Sequence, residues 1–245
     1  MRYAVISDIH SNLEALEAFL DQADKLKADK IICLGDIVGY NPNPNECIEL
    51  IRKNKMQCLM GNHDSRVAGI EDASDFNLLA ARAIDWTIGV LKDENLLFLK
   101  NLPRSLLVDR KFLAIHGWVS DTDRYIMGPG DALRNFELMN GLEKPVSLCF
   151  FGHTHVPAAY IEEGGSVELT PDNPVKIEKG RKYLINPGAI GQPRDRDPRA
   201  SFLIYDSKKS QVNFYRVEYD ISSTAGKIIE AGLPERLAER LKLGW

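Results

Sequence analysis

The stretch Leu148–Pro157, LCFFGHTHVP, is an apolar run that ends in a glycine and then two histidines one residue apart. The whole chain of 245 residues has only five histidines, so this pair needs a cause. Leu148–Phe151 is apolar at every position, the pattern of a strand covered on both faces. A strand that stops at Gly152 delivers His153 and its neighbours to the rim of a sheet, where open α/β sheets build their sites. On an extended segment residues i and i+2 point the same way, so His153 and His155 are expected to face one site.

The same grammar recurs outward from this stretch. Asp8 and His10 follow YAVIS (Tyr3–Ser7), and Asp36 follows IICLG (Ile31–Gly35). Asn62, His63 and Asp64 follow CLMG (Cys58–Gly61), and FLAI (Phe112–Ile115) runs into His116. All five histidines stand at such ends. Each piece alone has a plain explanation: Asp36 as a turn former, Asn62 as an Asx turn, His116 as a loop end. The ordered set is not explained that way.

Helices are expected between the runs. In Ser11–Ala28, Leu13, Leu16, Phe19, Leu20, Ala23 and Leu26 repeat at helical spacing, and Ser11 with Glu14 reads as a capping box. Asn43–Lys53 offers Asn43 as N-cap and Pro44 at the first helical position. Further helices are expected over Asp75–Lys92, Glu94–Lys100 and Pro129–Asn140. Tyr160–Lys182 is polar with turn signals and reads as short strands and loops. The segments 182–188, 200–206 and 211–219 read as strands, and 222–243 as two short helices with a Gly-Leu-Pro break. The Lys/Glu alternation of the last helix reads as a solvated face. Trp86, among Ile84, Ile88 and Leu91, reads as core.

A chain 44% apolar and free of linkers or repeats is expected to form one domain over 1–245, although its length also allows two small ones. The net charge of −4 argues against a broad nucleic-acid face and against docking on an anionic membrane. No run is apolar enough to span a bilayer, and no signal-peptide pattern opens the chain. Cys33, Cys47, Cys58 and Cys149 form no CxxC pair, and a reducing cytoplasmic setting is expected.

The donor types point to metal. Aspartate bridges two cations through its two oxygens, neutral imidazole suits Mn, Fe, Zn or Ni, and the Asn62 carbonyl is a hard donor. No cysteine joins the set, which argues against a structural zinc site. Nitrogen and oxygen donors from five strand ends suit a centre of two metals roughly 3.5–4 Å apart.

DIH (Asp8–His10), GDIVG (Gly35–Gly39), GNHD (Gly61–Asp64), HG (His116–Gly117) and GHTH (Gly152–His155), in this order, resemble the calcineurin-like metallophosphoesterase superfamily. INPGAIGQPRDRDPRA (Ile185–Ala200) is similar to its small prokaryotic phosphodiesterase branch, and the resemblance covers nearly the whole chain. It implies an α/β fold, a four-layer αββα sandwich of two mixed sheets, with a dinuclear metal site at the strand C-terminal ends. It implies that Asp8, His10 and His155 bind one metal, that Asn62, His116 and His153 bind the other, and that Asp36 bridges. Manganese is the first choice of metal. The implied activity is hydrolysis of a small phosphate ester, preferably a diester, by a metal-bound hydroxide with His63 as general acid. The alternatives are a hydrolase of dinucleoside tetraphosphate type and a non-catalytic scaffold, although scaffolds lose ligands that this chain keeps.

Two departures bear on substrate. Protein serine/threonine phosphatases of the superfamily carry Asp-Arg-Gly after the second motif, where this chain has Gly39 and Tyr40, which argues against a protein phosphatase. Close relatives have Ser-Pro after HG, where Trp118 and Val119 stand, so the pocket wall is expected to differ. Arg194, Arg196 and Arg199 are either phosphate ligands or partners of Asp195 and Asp197. Tyr40 and Asn41 either line the cleft or make a turn.

Overall fold

In a computed structural model that describes residues 1–245, the apolar runs form two six-stranded mixed sheets packed face to face. The first sheet, in the order β3-β2-β1-β11-β12-β9, comprises β1 (Arg2–Ile6), β2 (Lys30–Cys33), β3 (Gln57–Cys58), β9 (Val175–Lys176), β11 (Ala200–Asp206) and β12 (Gln211–Val217). The second, in the order β4-β5-β6-β10-β7-β8, comprises β4 (Ser105–Val108), β5 (Phe112–Ile115), β6 (Leu148–Phe150), β7 (Ala158–Glu163), β8 (Ser166–Leu169) and β10 (Lys182–Asn186). The helices are α1 (Leu13–Lys25), α2 (Pro44–Lys53), α3 (Asn62–Val67), α4 (Leu78–Val90), α5 (Asp93–Lys100), α6 (Pro129–Asn140), α7 (Ile221–Glu230) and α8 (Glu235–Leu243).

The period-2 alternation of the strands builds the αββα layers. Tyr3, Val5 and Ile32 meet Phe112, Phe150 and Tyr183 between the sheets. Their neighbours Ala4, Ile6 and Cys33 turn outward onto Leu16 and Phe19 of α1 and Ile48 of α2. On the far side Leu113, Cys149 and Leu184 cover Phe136 and Met139 of α6. The central strands of each sheet are therefore dry on both faces, and each large side chain buried contributes roughly 1.5–3 kcal/mol. A further cluster joins α4, α7 and α8 through Ala80, Ala83, Ile228, Leu237 and Leu241 and backs onto Tyr40.

Within the first sheet β1, β2 and β3 run parallel; within the second β5, β6 and β10 do. The site is carried by the residues just beyond the ends of these six strands.

Several local expectations are corrected. The cap of α1 is Asn12, whose side chain accepts from the Ala15 N–H at 3.1 Å. Ser11 has φ 58°, and Glu14 reaches instead to Thr224 and Lys227 of α7, so no capping box forms. The exposed edge strand β4 has no clean alternation and escapes the sequence pattern. Trp86 is half-buried against the α4/α7/α8 cluster, while Ile88 is exposed. Asn43 does precede Pro44 at the start of α2, without a side-chain cap bond. All four cysteines are buried and free. No helix is long and apolar enough to cross a membrane.

Candidate metal centre

Asp8, His10, Asp36, His153 and His155 all lie in the left-handed region, with φ of 56°, 46°, 53°, 68° and 61°. Non-glycine residues adopt it at a cost of order 1–3 kcal/mol, and it persists only where surroundings over-determine it. Here backbone bonds do so: Asp8 N–H donates to Gly35 O at 3.0 Å and His10 N–H to Asp36 O at 2.9 Å. The Asn186 amide at the end of β10 donates to Gly152 O at 2.7 Å and Thr154 Oγ1 at 3.0 Å, pinning the GHTH loop. The expectation of an extended His-Thr-His segment is corrected by these angles. His153 and His155 face opposite halves of the site, His155 toward Asp8 and His10, and His153 toward Asp36 and His116.

Each carboxylate has one oxygen tied down and one left over. Asp8 Oδ2 accepts the His153 N–H at 3.1 Å, while the buried Oδ1 has no hydrogen-bond partner. Asp36 Oδ1 accepts the His63 N–H at 2.9 Å, leaving Oδ2 at 3.6 Å from His10 Nε2 and 3.3 Å from His116 Nε2. Asp36 Oδ2 thus faces both halves, while Oδ1 accepts the His63 N–H.

The imidazoles are aimed in the same way. Nδ1 donates to a backbone carbonyl in His10 (Val38, 3.1 Å), His116 (Leu34, 2.7 Å) and His155 (Gln192, 2.5 Å). A carbonyl only accepts, so Nδ1 carries a proton in all three rings and Nε2 is the atom turned inward, with its lone pair bare in neutral His10 and His155. His153 is inverted: its Nε2 donates to Asp123 O at 2.9 Å, which leaves Nδ1 for the centre.

This donor set fits cations. His10 Nε2 and His155 Nε2 lie 3.2 Å apart, and burial holds both rings well below the usual imidazole pKa. Two bare lone pairs at that distance repel unless a positive charge lies beside them. Burial opposes charge on His116, yet the Asp36 carboxylate overrides it and raises that pKa to about 9. Burial pushes Asp8 up to about 7. Asn62 Oδ1 lies 3.1 Å from His116 Nε2, on the His153 side.

Above the buried donors opens a cleft of about 200 Å³. His63 stands in its wall, its ring centroid 4.6 Å from Tyr40, 4.8 Å from Phe76 and 4.7 Å from His10. Its Nδ1 is buried without a partner, and burial pushes its pKa down to about 4. A Cβ on Gly39 would sit 2.6 Å from that Nδ1, so the His63 ring occupies the space a side chain at this position would need. Tyr40 lines the cleft, whereas Asn41 is structural, donating to His10 O at 2.8 Å.

Some contributors carry no signal in the sequence. Arg66 is a buried hub that pairs with Glu71, Asp75 and Asp123 at 2.9, 3.2 and 2.9 Å, and Asp123 in turn orients His153. Tyr125 stacks on His153 at 4.0 Å. Trp118 explains the departure after HG: its Nε1 donates to Tyr125 O at 2.9 Å and so props the wall. Gln192, inside the Ile185–Ala200 stretch, contributes through its backbone carbonyl, which the residue type does not announce.

Gly61, just before Asn62, has no room for a side chain, because a Cβ would overlap Asp36 N and Oδ1. Gly61→Ala is expected to cost about 1–3 kcal/mol of stability and to reduce metal retention. Denaturant titration and metal content check it; wild-type values in both contradict the close approach.

The family model for the calcineurin-like phosphoesterase superfamily domain matches residues 1–210. An uncharacterized protein of Methanocaldococcus jannaschii is 43% identical over 251 residues, covering 98% of this chain and 97% of its own. The crystal structure of a metallophosphoesterase from Sphaerobacter thermophilus superposes with a TM-score of 0.86 at 40% identity, covering 100% of this chain and 99% of its own. A hypothetical protein from Pyrococcus horikoshii OT3 shares the fold, with a TM-score of 0.81 at 23% identity over 100% of this chain and 98% of its own. With the motif-bearing strand ends, the two mixed sheets and the family match all in agreement, the chain belongs to the calcineurin-like phosphoesterase superfamily and is a hydrolase of phosphate-ester bonds.

Proposed function

We propose that this chain is a cytoplasmic phosphodiesterase that works with two divalent transition-metal ions, manganese first, with iron, zinc or nickel as substitutes. The observation that carries the reading is the division of donors about Asp36 Oδ2, with Asp8, His10 and His155 on one side and His116 and His153 on the other. Asn62 completes the second side. When bound, such a pair activates a water and neutralises phosphoryl oxygens.

The rest belongs to the chain. His63 stands at the cleft with its imidazole free to protonate a departing oxygen. Burial disfavours its charged form, and an anionic ester beside it favours that form. The second motif supplies no arginine to hold a dianionic monoester, and Asp75 and Asp123 at the cleft are paired with Arg66. Arg194 is the cationic side chain that lines the cleft, and one guanidinium matches the single charge of a diester.

With manganese supplied, bis-p-nitrophenyl phosphate is expected to be cleaved faster than p-nitrophenyl phosphate, and a chelator to abolish both. A monoester preference across several metals counts against the diesterase reading.

A further inference from the structure

Beyond the Arg194 wall of the cleft lies a larger hollow of about 650 Å³ that shares Arg194 and Asn77 with it. Four arginines line this basin: Arg194, Arg196, Arg236 and Arg240. None of the four pairs with an aspartate or glutamate side chain, because the loop's acids are taken elsewhere, Asp197 by Arg199 and Asp195 by Arg216. The sequence left open whether these loop arginines pair with Asp195 and Asp197; only Arg199 does so. Arg194 Nε is buried without a partner, and its Nη2 reaches only Tyr40 Oη at 3.5 Å and Gln192 Oε1 at 3.4 Å. Burial, then the neighbouring Arg194, pushes the Arg240 pKa down. Glu239 also lines the basin, and Arg240 Nε donates to Trp245 O at 2.9 Å, which leaves Arg194, Arg196 and Arg236 as the guanidiniums without an acid partner.

The placement is built by the fold. Arg236 and Arg240 are one turn apart on α8 and so share a face. Leu237, Ala238 and Leu241 pack α8 into the cluster that includes Ala80 and Ala83 of α4, which turns the arginines toward the cleft. The lysine and glutamates of the last helix, Glu235, Glu239 and Lys242, are exposed as expected, and the arginines of the same helix add the basin wall. The family match stops at residue 210, so α8 adds this wall from outside the matched domain.

We infer that the basin is a second anion subsite, which holds a phosphate group of the substrate other than the one being hydrolysed. The preferred substrate is then a phosphodiester that carries a further phosphate. Guanidinium forks match phosphate oxygens in pairs, and an uncompensated cluster of them is relieved by a multiply charged anion. The inference rests on the phosphodiesterase reading for its placement beside a scissile diester.

Two measurements on the full-length metal-loaded protein test it, comparing wild type with an Arg196→Ala/Arg236→Ala double variant. Both positions are exposed and outside the catalytic cleft. Calorimetric titration with inorganic pyrophosphate is expected to show binding about tenfold or more weaker in the variant, and Arg236→Lys on the Arg196 background to recover part of it. Binding at the metal centre is common to both proteins and cancels. Hydrolysis of bis-p-nitrophenyl phosphate, which has no second phosphate, is expected to be unchanged. A diadenylate with a 5′-phosphate is expected to show a lower KM than diadenylate without one, and the variant to erase that difference. Equal pyrophosphate affinity in wild type and variant overturns the subsite, as does an equal loss on bis-p-nitrophenyl phosphate. Failure of every diester to react, with the pyrophosphate difference intact, overturns the diesterase reading and leaves the anion subsite standing.

Discussion

Asp36→Ala is expected to empty both halves of the centre at once and to lower activity by on the order of 10³ or more, since a metal clamp supplies several kcal/mol and each 1.36 kcal/mol is tenfold. Asp36 Oδ2 is the one atom that faces both His10 and His116, at 3.6 and 3.3 Å. Asp8 serves only the His10 and His155 side, so Asp8→Ala is expected to leave one metal equivalent behind. Asp36→Asn separates charge from shape: its amide oxygen can still accept the His63 N–H, and metal loss in that variant then reports the missing charge. Metal analysis of the three purified variants decides the matter. Two equivalents retained in Asp36→Ala would remove Asp36 from the bridging position.

His63→Ala is expected to keep its metals and to lose about 10²–10⁴ in rate on alkyl or nucleoside esters, the usual worth of a general acid. What His63 gives to Asp36 is its backbone N–H at 2.9 Å, and alanine retains that donor. The imidazole instead sits at the cleft between Tyr40 and Phe76. An alkoxide departs poorly without a proton, whereas p-nitrophenolate departs readily, so p-nitrophenyl esters are expected to lose much less. A ring that merely props Asn62 predicts the opposite: metal loss and a uniform fall in rate. Metal content and both rates, measured on one preparation, separate the two. Equal losses on good and poor leaving groups with metals intact exclude proton donation.

The donors were legible because each stands where an apolar run gives way to glycine or a polar residue. A strand dry on both faces has no other way to present a charged group than at its end. Burial follows the same logic: Asp8, His10 and His116 are fully buried at the rims of their strands. The chain order of the motifs, the α/β layering, the period of α1 and the start of α2 at Pro44 come from local pattern alone.

Orientation was not legible, because it depends on partners distant in the chain. Which nitrogen of His155 turns inward is decided by Gln192 O, and the inversion of His153 by Asp123 O, which Arg66 secures. How the Asp36 carboxylate is turned is decided by the His63 N–H. The left-handed backbone at His153 and His155 sends neighbours to opposite halves, where an extended segment would have sent them together. Likewise Leu237 and Leu241 reveal from sequence that α8 has a buried face, but only its seat against α4 places Arg236 and Arg240 beside the cleft. The sequence by itself determined which groups carry chemistry and that strand ends bring them together, since hydrophobic period and residue type are local properties. Only the tertiary structure decided where each lone pair and each guanidinium points, since a hydrogen bond between residues far apart in the chain exists only once both sheets have closed.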